Sequence, residues 1–356
     1  MRRNGADTSR IDQPWPASGL EEVDVCPLCQ SRRRSIAHSN VQDWSFFGAA
    51  GKWTYWQCDD CSSLYLSPRP TPATLGHAYD QYYTHAPGGA GSLAGRLKER
   101  IANELWSHSF GASLRPRLHV PAWLRWLVLP LRRLMGVPFQ LAELVQHPPG
   151  MLLDVGCGNG DMLIVARQLG WRTIGIELDP VAVRAARSRG LEVLEGSYER
   201  LTELGAEFDC VVCAHVLEHV HDPKNMLQKM AEVLKPGGIL LLSLPNATSQ
   251  MRRHFGDDWR GLEAPRHLTI PSMRQLKATL CSMGFAVSER SLAPFSTAAE
   301  SARIRRRGTR VSAQDRAEAK RVSANLLPLS DELYDYTQFV CKKVSASARE
   351  LGREAV

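Results

Sequence analysis

The run Asp154-Val155-Gly156-Cys157-Gly158-Asn159-Gly160 constrains this chain more than any other short segment. Residues 151–155 are a short apolar run and read as a buried strand. Residues 161–170 follow with helical spacing (Met162, Val165, Ala166, Leu169) and a glycine stop. Three glycines at alternate positions between strand and helix let a ligand approach the backbone at the positive end of the helix. The next expected strand, 172–176, delivers Glu177 seventeen residues past Gly160, where a carboxylate can accept both hydroxyls of a ribose. A dinucleotide loop is G-x-G-x-x-G with its acid about 20 residues on. The tighter G-x-G-x-G spacing here suits a nucleoside carrying an amino-acid tail better than a pyrophosphate.

Four further segments follow in order: Gly175-Ile176-Glu177-Leu178-Asp179, Phe208-Asp209-Cys210-Val211-Val212, His215-Val216-Leu217-Glu218-His219 and Leu234-Lys235-Pro236-Gly237-Gly238. Together with the glycine loop they resemble a class I S-adenosylmethionine-dependent methyltransferase, over residues 140–290 and again near 335. The resemblance implies an α/β fold, a seven-stranded Rossmann-like doubly wound sheet, with S-adenosylmethionine as cofactor. It also implies cofactor contacts from Asp154, Gly156, Cys157, Gly158, Gly160, Glu177, Leu178, Ser197, Tyr198 and His215. Later strands are expected at 191–194, 208–214, 238–244, 285–290 and 336–343, the last antiparallel. Two departures matter. Where the family often has an acid near the adenine, this chain has Ser197 and Tyr198. No Asn/Asp-Pro-Pro-Tyr/Phe follows the fourth strand, which disfavours methylation of an exocyclic amine.

Cys26-Pro27-Leu28-Cys29 and Cys58-Asp59-Asp60-Cys61 are C-x-x-C pairs 28 residues apart. Two such turns complete a tetrahedron around zinc, and four protein ligands leave no open position, so the metal is expected to be structural. The intervening Trp44, Phe46, Phe47, Trp53, Tyr55 and Trp56 suit a small zinc ribbon, whose thin core the metal would reinforce. Cys210 and Cys213 share the spacing, but in a strand they point to opposite faces and read as buried apolar residues, as does Cys157. A ribbon, the Pro68-Arg69-Pro70 turn and the Tyr79, Tyr82, Tyr83 helix resemble a bacterial subgroup of these methyltransferases that acts on sugars, glycolipids and secondary metabolites. By that resemblance the tyrosines close over the cofactor; as aromatics at helical spacing they read equally well as packing residues.

At 356 residues and 44% hydrophobic composition the chain holds several packed modules. Residues 1–20 read as a disordered N-terminus, 21–70 as the ribbon and 71–139 as a helical linker with an amphipathic stretch. Residues 140–345 read as the methyltransferase domain, with a basic insertion at 296–330, and 346–356 as a tail. The polar N-terminus and nine cysteines imply a reducing, cytoplasmic setting. Trp123, Arg125, Trp126, Arg132 and Arg133 make a stretch suited to peripheral contact with the inner face of the membrane. The net charge of +7 is concentrated between Glu300 and Arg321, where eight Arg/Lys meet three acids. Such a segment attracts phosphate-bearing partners or is simply a solvated helix.

His215, Glu218 and His219 lie at the carboxyl end of the fourth strand, where open α/β sheets bind ligands. H-x-x-E-H is also a zinc-peptidase pattern, but its first histidine sits at a strand end rather than on a helix, which argues against that metal site. Pro265-Arg266-His267-Leu268 resembles a motif of the ribbon-bearing subgroup. On that basis His267 is the leading general base, with His215 and His219 as further catalytic candidates and Arg266 as a substrate anchor. The expected activity is methyl transfer to an oxygen or carbon of a small molecule: a sugar, a glycolipid or other lipid-linked acceptor, or a secondary metabolite. The alternative is an rRNA methyltransferase docking through the ribbon and the basic insertion. Nucleic acid is disfavoured because Arg32, Arg33, Arg34 and Lys52 form no continuous basic stripe.

Overall fold

The computed structural model describes residues 10–80, 101, 139–205, 207–292, 295–325 and 335–344. In chain order its strands are β1 (Leu20–Glu21), β2 (Arg34–Val41), β3 (Trp53–Cys58), β4 (Leu64–Leu66), β5 (Arg69–Pro70), β6 (Met151–Val155) and β7 (Arg172–Glu177). They continue with β8 (Val193–Glu195), β9 (Phe208–Ala214), β10 (Leu234–Pro245), β11 (Thr269–Ile270), β12 (Phe285–Leu292) and β13 (Tyr336–Lys343). Seven strands form one mixed sheet in the order β12-β13-β10-β9-β6-β7-β8. β6 runs parallel to β7 and β9, β7 runs parallel to β8, and β12 and β13 pair antiparallel. The strands expected at 151–155 and 208–214 are buried along nearly their whole length, as parallel strands covered on both faces must be. β10 begins at Leu234, four residues before the expected 238.

The chain divides into two compact units. One comprises Thr84–Cys213 and Lys229–Leu241 and contains the glycine loop. In it the helix Pro180–Ser188 starts on Asp179, whose carboxylate accepts from the Val181 N–H at 2.8 Å, with Pro180 at the first helical position.

The other unit comprises Met1–Tyr83, Ala214–Gln228 and Leu242–Val356. Its own sheet is four-stranded, in the order β11-β4-β3-β2. The strand β11, immediately after His267, pairs antiparallel with ribbon strand β4, Thr269 opposite Tyr65 and Ile270 opposite Leu64. The ribbon is therefore built into the loop that carries His267. Part of the segment expected to be disordered is folded. Ile11 and Trp15 are buried, Trp15 meets Trp53 edge-on at 5.4 Å between ring centres, and Leu20 and Glu21 pair with Pro70 and Arg69. Apolar residues in a polar stretch were enough to anchor it.

The basic segment forms the helices Phe295–Arg305 and Ala313–Asn325. Its arginines are largely committed within the fold. Arg303 holds Glu300, Arg306 holds Asp315 and Glu318, Arg305 holds Glu318, and Arg307 holds Asp258. No helix among the described residues is long and apolar enough to cross a membrane. The tryptophan-arginine stretch near 121–134, and Tyr82 and Tyr83, lie outside the described residues.

Candidate functional site

The glycine loop leaves β6 with Gly156, Gly158 and Gly160 at φ +74°, +54° and +81°, a left-handed region that side chains resist. At Gly160 an added Cβ would also meet the Leu191 side chain at 2.2 Å. Glu177, at the end of β7, reaches back into this loop. Its Oε2 accepts from the Gly158 N–H at 2.8 Å and its Oε1 from the Asp179 N–H at 2.9 Å. Each oxygen retains a second lone pair, so the carboxylate is already oriented and can still accept two hydroxyls. Leu178, next to it, is 70% exposed, an apolar side chain free to cover a nucleobase. Asp154 is buried, and burial, reinforced by the negative charge of Glu177, pushes its carboxyl up to about 7. Cys157 is buried too, and burial raises its thiol far above its ordinary value, which suits packing and not nucleophilic attack. The Ser197 hydroxyl accepts from the Glu199 N–H at 3.3 Å and caps the 3-10 helix Tyr198–Leu204. That use competes with a role at an adenine. These residues fit S-adenosylmethionine: a tight backbone turn, and a preoriented carboxylate beside an exposed apolar side chain.

The four thiols Cys26, Cys29, Cys58 and Cys61 come together, their sulfurs all within 4.8 Å of one another. Both knuckles have the same construction. Cys26 N–H donates to Ser31 O and Gln30 N–H to Cys26 O; Cys58 N–H donates to Ser63 O and Ser62 N–H to Cys58 O. Gln30 and Ser62 both sit at φ +63°. A left-handed residue in each turn aims two sulfurs at one point, and the set fits a closed structural zinc.

The third group lies around His267, within the ribbon-bearing unit. His267 is buried, its Nδ1 2.7 Å from the Gly261 carbonyl, and its Nε2 is 3.6 Å from Glu263 and 4.0 Å from Glu218. Burial outweighs these carboxylates and pushes its imidazole down to about 4. His219 meets it edge-on at 4.6 Å between ring centres, with Nδ1 3.1 Å from the Arg266 carbonyl and 3.0 Å from the Tyr79 hydroxyl. Burial pushes the Glu218 carboxyl up, but His215, His219 and His267 pull it below its ordinary value. Burial also opposes ionisation of Glu263, yet Arg260 and its neighbours hold it down to about 2. His215 stands apart: its side chain is 53% exposed and its Nδ1 is 3.5 Å from Glu218 Oε1. It adopts φ +58° directly after β9.

Arg266 does not serve as a substrate anchor here. It is fully buried, its two terminal nitrogens 3.0 and 2.5 Å from the Asp43 oxygens and its Nε donating to Ala78 O at 3.0 Å. Every donor direction points inward, so its charge holds the loop. Asp43, Glu263 and Tyr55, whose hydroxyl is 2.8 Å from the His267 carbonyl, are supports the motif reading missed. Glu263 could have been found from its i,i+4 spacing to His267. Asp43, 223 residues from Arg266, left no local signal.

Residues 132–290 match a family model described as a methyltransferase domain. A ubiquinone biosynthesis O-methyltransferase of Xanthomonas campestris pv. campestris is 38% identical over 115 residues, 30% of this chain and 48% of the relative. Its namesake from Xanthomonas axonopodis pv. citri is 37% identical over 127 residues, 33% of this chain and 53% of the relative. The chain thus spans about half the length of the curated relatives it matches. Among solved structures, a SAM-dependent methyltransferase from Archaeoglobus fulgidus aligns with a TM-score of 0.41 at 18% identity, covering 61% of this chain and 99% of that one. The family-model match agrees with the ordered motifs, the sheet topology and the glycine loop: residues 132–290 match a methyltransferase domain.

Proposed function

We propose that this protein transfers a methyl group from S-adenosylmethionine to an oxygen of a small molecule. The observation that carries the reading is Glu177, bonded to the N–H groups of Gly158 and Asp179 within a three-glycine loop. When bound, the cofactor supplies an electrophilic methyl on a sulfonium. The chain's own residues must then hold the nucleoside, align the acceptor and take its proton.

His215 suits the last task better than His267. Its Nδ1 faces Glu218, which leaves Nε2 for an acceptor hydroxyl, and its side chain is open. His267 is enclosed and its imidazole is depressed to about 4, far from the near-neutral value a general base needs. Oxygen as the target follows the curated relatives, whose names specify O-methylation. Sugars, lipid-linked acceptors and secondary metabolites remain within the proposed acceptor class. RNA is disfavoured because Arg303, Arg305, Arg306 and Arg307 are spent on acids of the fold. The test is methyl-labelled cofactor with cell extract separated into RNA, lipid-linked and small-molecule pools. Label in either of the last two supports the reading; label in RNA alone overturns it.

A further inference from the structure

Glu218 is wholly buried, yet neither of its carboxylate oxygens receives a hydrogen bond. Its ion-pair partner His215 holds Nδ1 3.5 Å from Oε1. A buried carboxylate left this way costs several kcal/mol unless a positive charge meets it. One ligand atom each from Glu218, His219 and His267 lie within 4.8 Å of one another.

Both imidazoles rest against backbone carbonyls. His219 Nδ1 lies against the Arg266 carbonyl and His267 Nδ1 against the Gly261 carbonyl. A carbonyl only accepts, so the His267 ring carries its proton on Nδ1 and leaves Nε2 as a lone pair; His219 Nδ1 is shared between the Arg266 carbonyl and the Tyr79 hydroxyl. For His267 that lone pair faces two carboxylates, at 3.6 and 4.0 Å. These distances are too long for a hydrogen bond, so moving the proton to Nε2 would not satisfy Glu218. Charge gives the same answer. Of the three carboxylates here, Glu263 and Asp43 are paired with Arg260 and Arg266, which leaves Glu218 only the half-exposed His215 imidazole at 3.5 Å.

We infer that Glu218, His219 and His267 form a second metal site, for a divalent first-row transition cation such as Zn²⁺, Mn²⁺ or Fe²⁺. Two imidazoles and a carboxylate select such ions over Mg²⁺ or Ca²⁺. Backbone carbonyls on the far ring nitrogens are the usual outer support of metal-bound histidine. Three protein ligands leave coordination open, unlike the closed four-cysteine site. The inference goes beyond methyl transfer, and its test reads the metal rather than turnover.

Purified full-length protein, treated with a mild chelator that leaves the four-cysteine zinc in place, is titrated with Co²⁺. The expected result is weak visible d–d bands without the near-ultraviolet thiolate-to-cobalt absorption, saturating at one equivalent. Glu218→Gln and His267→Asn each weaken Co²⁺ binding at least roughly tenfold. Glu218→Gln also abolishes the Co²⁺-induced rise in melting temperature seen in the wild type. The inference is overturned by no saturable d–d signal, by a signal carrying thiolate absorption, or by undiminished binding in folded Glu218→Gln protein.

Discussion

Arg266 and Asp43 are 223 residues apart in the chain and form an ion pair with both side chains fully buried, at 2.5 and 3.0 Å. The Asp43 carboxylate also accepts from the N–H groups of Phe46, Gly48 and Ala49, so it closes its own turn while it holds the arginine. Truncating one member strands the other. Asp43→Ala is expected to cost about 3–5 kcal/mol in denaturant unfolding. The paired replacement Asp43→Leu with Arg266→Met is expected to cost clearly less than the sum of the single changes. Additive losses would show that the two side chains do not depend on each other.

Glu177 organises the loop and still offers two lone pairs. Glu177→Ala is expected to weaken S-adenosylhomocysteine binding by about 3 kcal/mol, roughly 100-fold, in calorimetry. His215→Asn is expected to leave that binding within a few-fold and to lower kcat by about 100-fold or more. An unchanged Kd in the first variant removes the carboxylate from the ribose.

Asp154 supplies a pH dependence. Its folded-state value, raised to about 7 by burial and by Glu177, exceeds the ordinary aspartate value near 4. The protonated form is therefore favoured in the fold. Its stabilising contribution is full below about pH 4 and is lost as pH rises to about 7, up to about 4 kcal/mol by linkage. A cationic ligand near the loop favours the ionised form, so affinity for the cofactor is expected to rise between pH 6 and 8 and to flatten in Asp154→Asn. Chemical unfolding at pH 5 and pH 8, with calorimetry in two buffers of different ionisation enthalpy, measures both effects.

A metal on the four cysteines would hold more than the ribbon. β4 pairs with β11, and the Leu66 N–H donates to the Leu268 carbonyl at 3.0 Å. Cys58→Ser is expected to lose one equivalent of zinc in elemental analysis and to open residues 255–270 to protease. Loss of zinc without new cleavage there would show that the loop stands independently of the metal.

Much of the fold was legible because its signals are local. A buried parallel strand is an apolar run, so β6 and β9 fall where the sequence places them. The two C-x-x-C turns aim their sulfurs at one point because each spacing is set within its own turn. The loop between β10 and β12 was harder to read. Arg266 and His267 stand side by side in a motif that suggests substrate and proton, yet Arg266 is wholly buried and His267 is 3% exposed. Exposure depends on what the rest of the chain lays over a residue, and a motif does not carry that information.

By itself the sequence determined the glycine loop with its acid, the cysteine quartet and the order of the strands. Each is set by spacing over a few residues or by the side-chain period of one element. Only the tertiary structure decided that Asp43 neutralises Arg266 and that a ribbon strand backs the segment after His267. It alone also decided that Glu218, His219 and His267 converge. Those pairings close loops of up to more than 200 residues, and closure is won by burial and charge together rather than by any neighbour in the sequence.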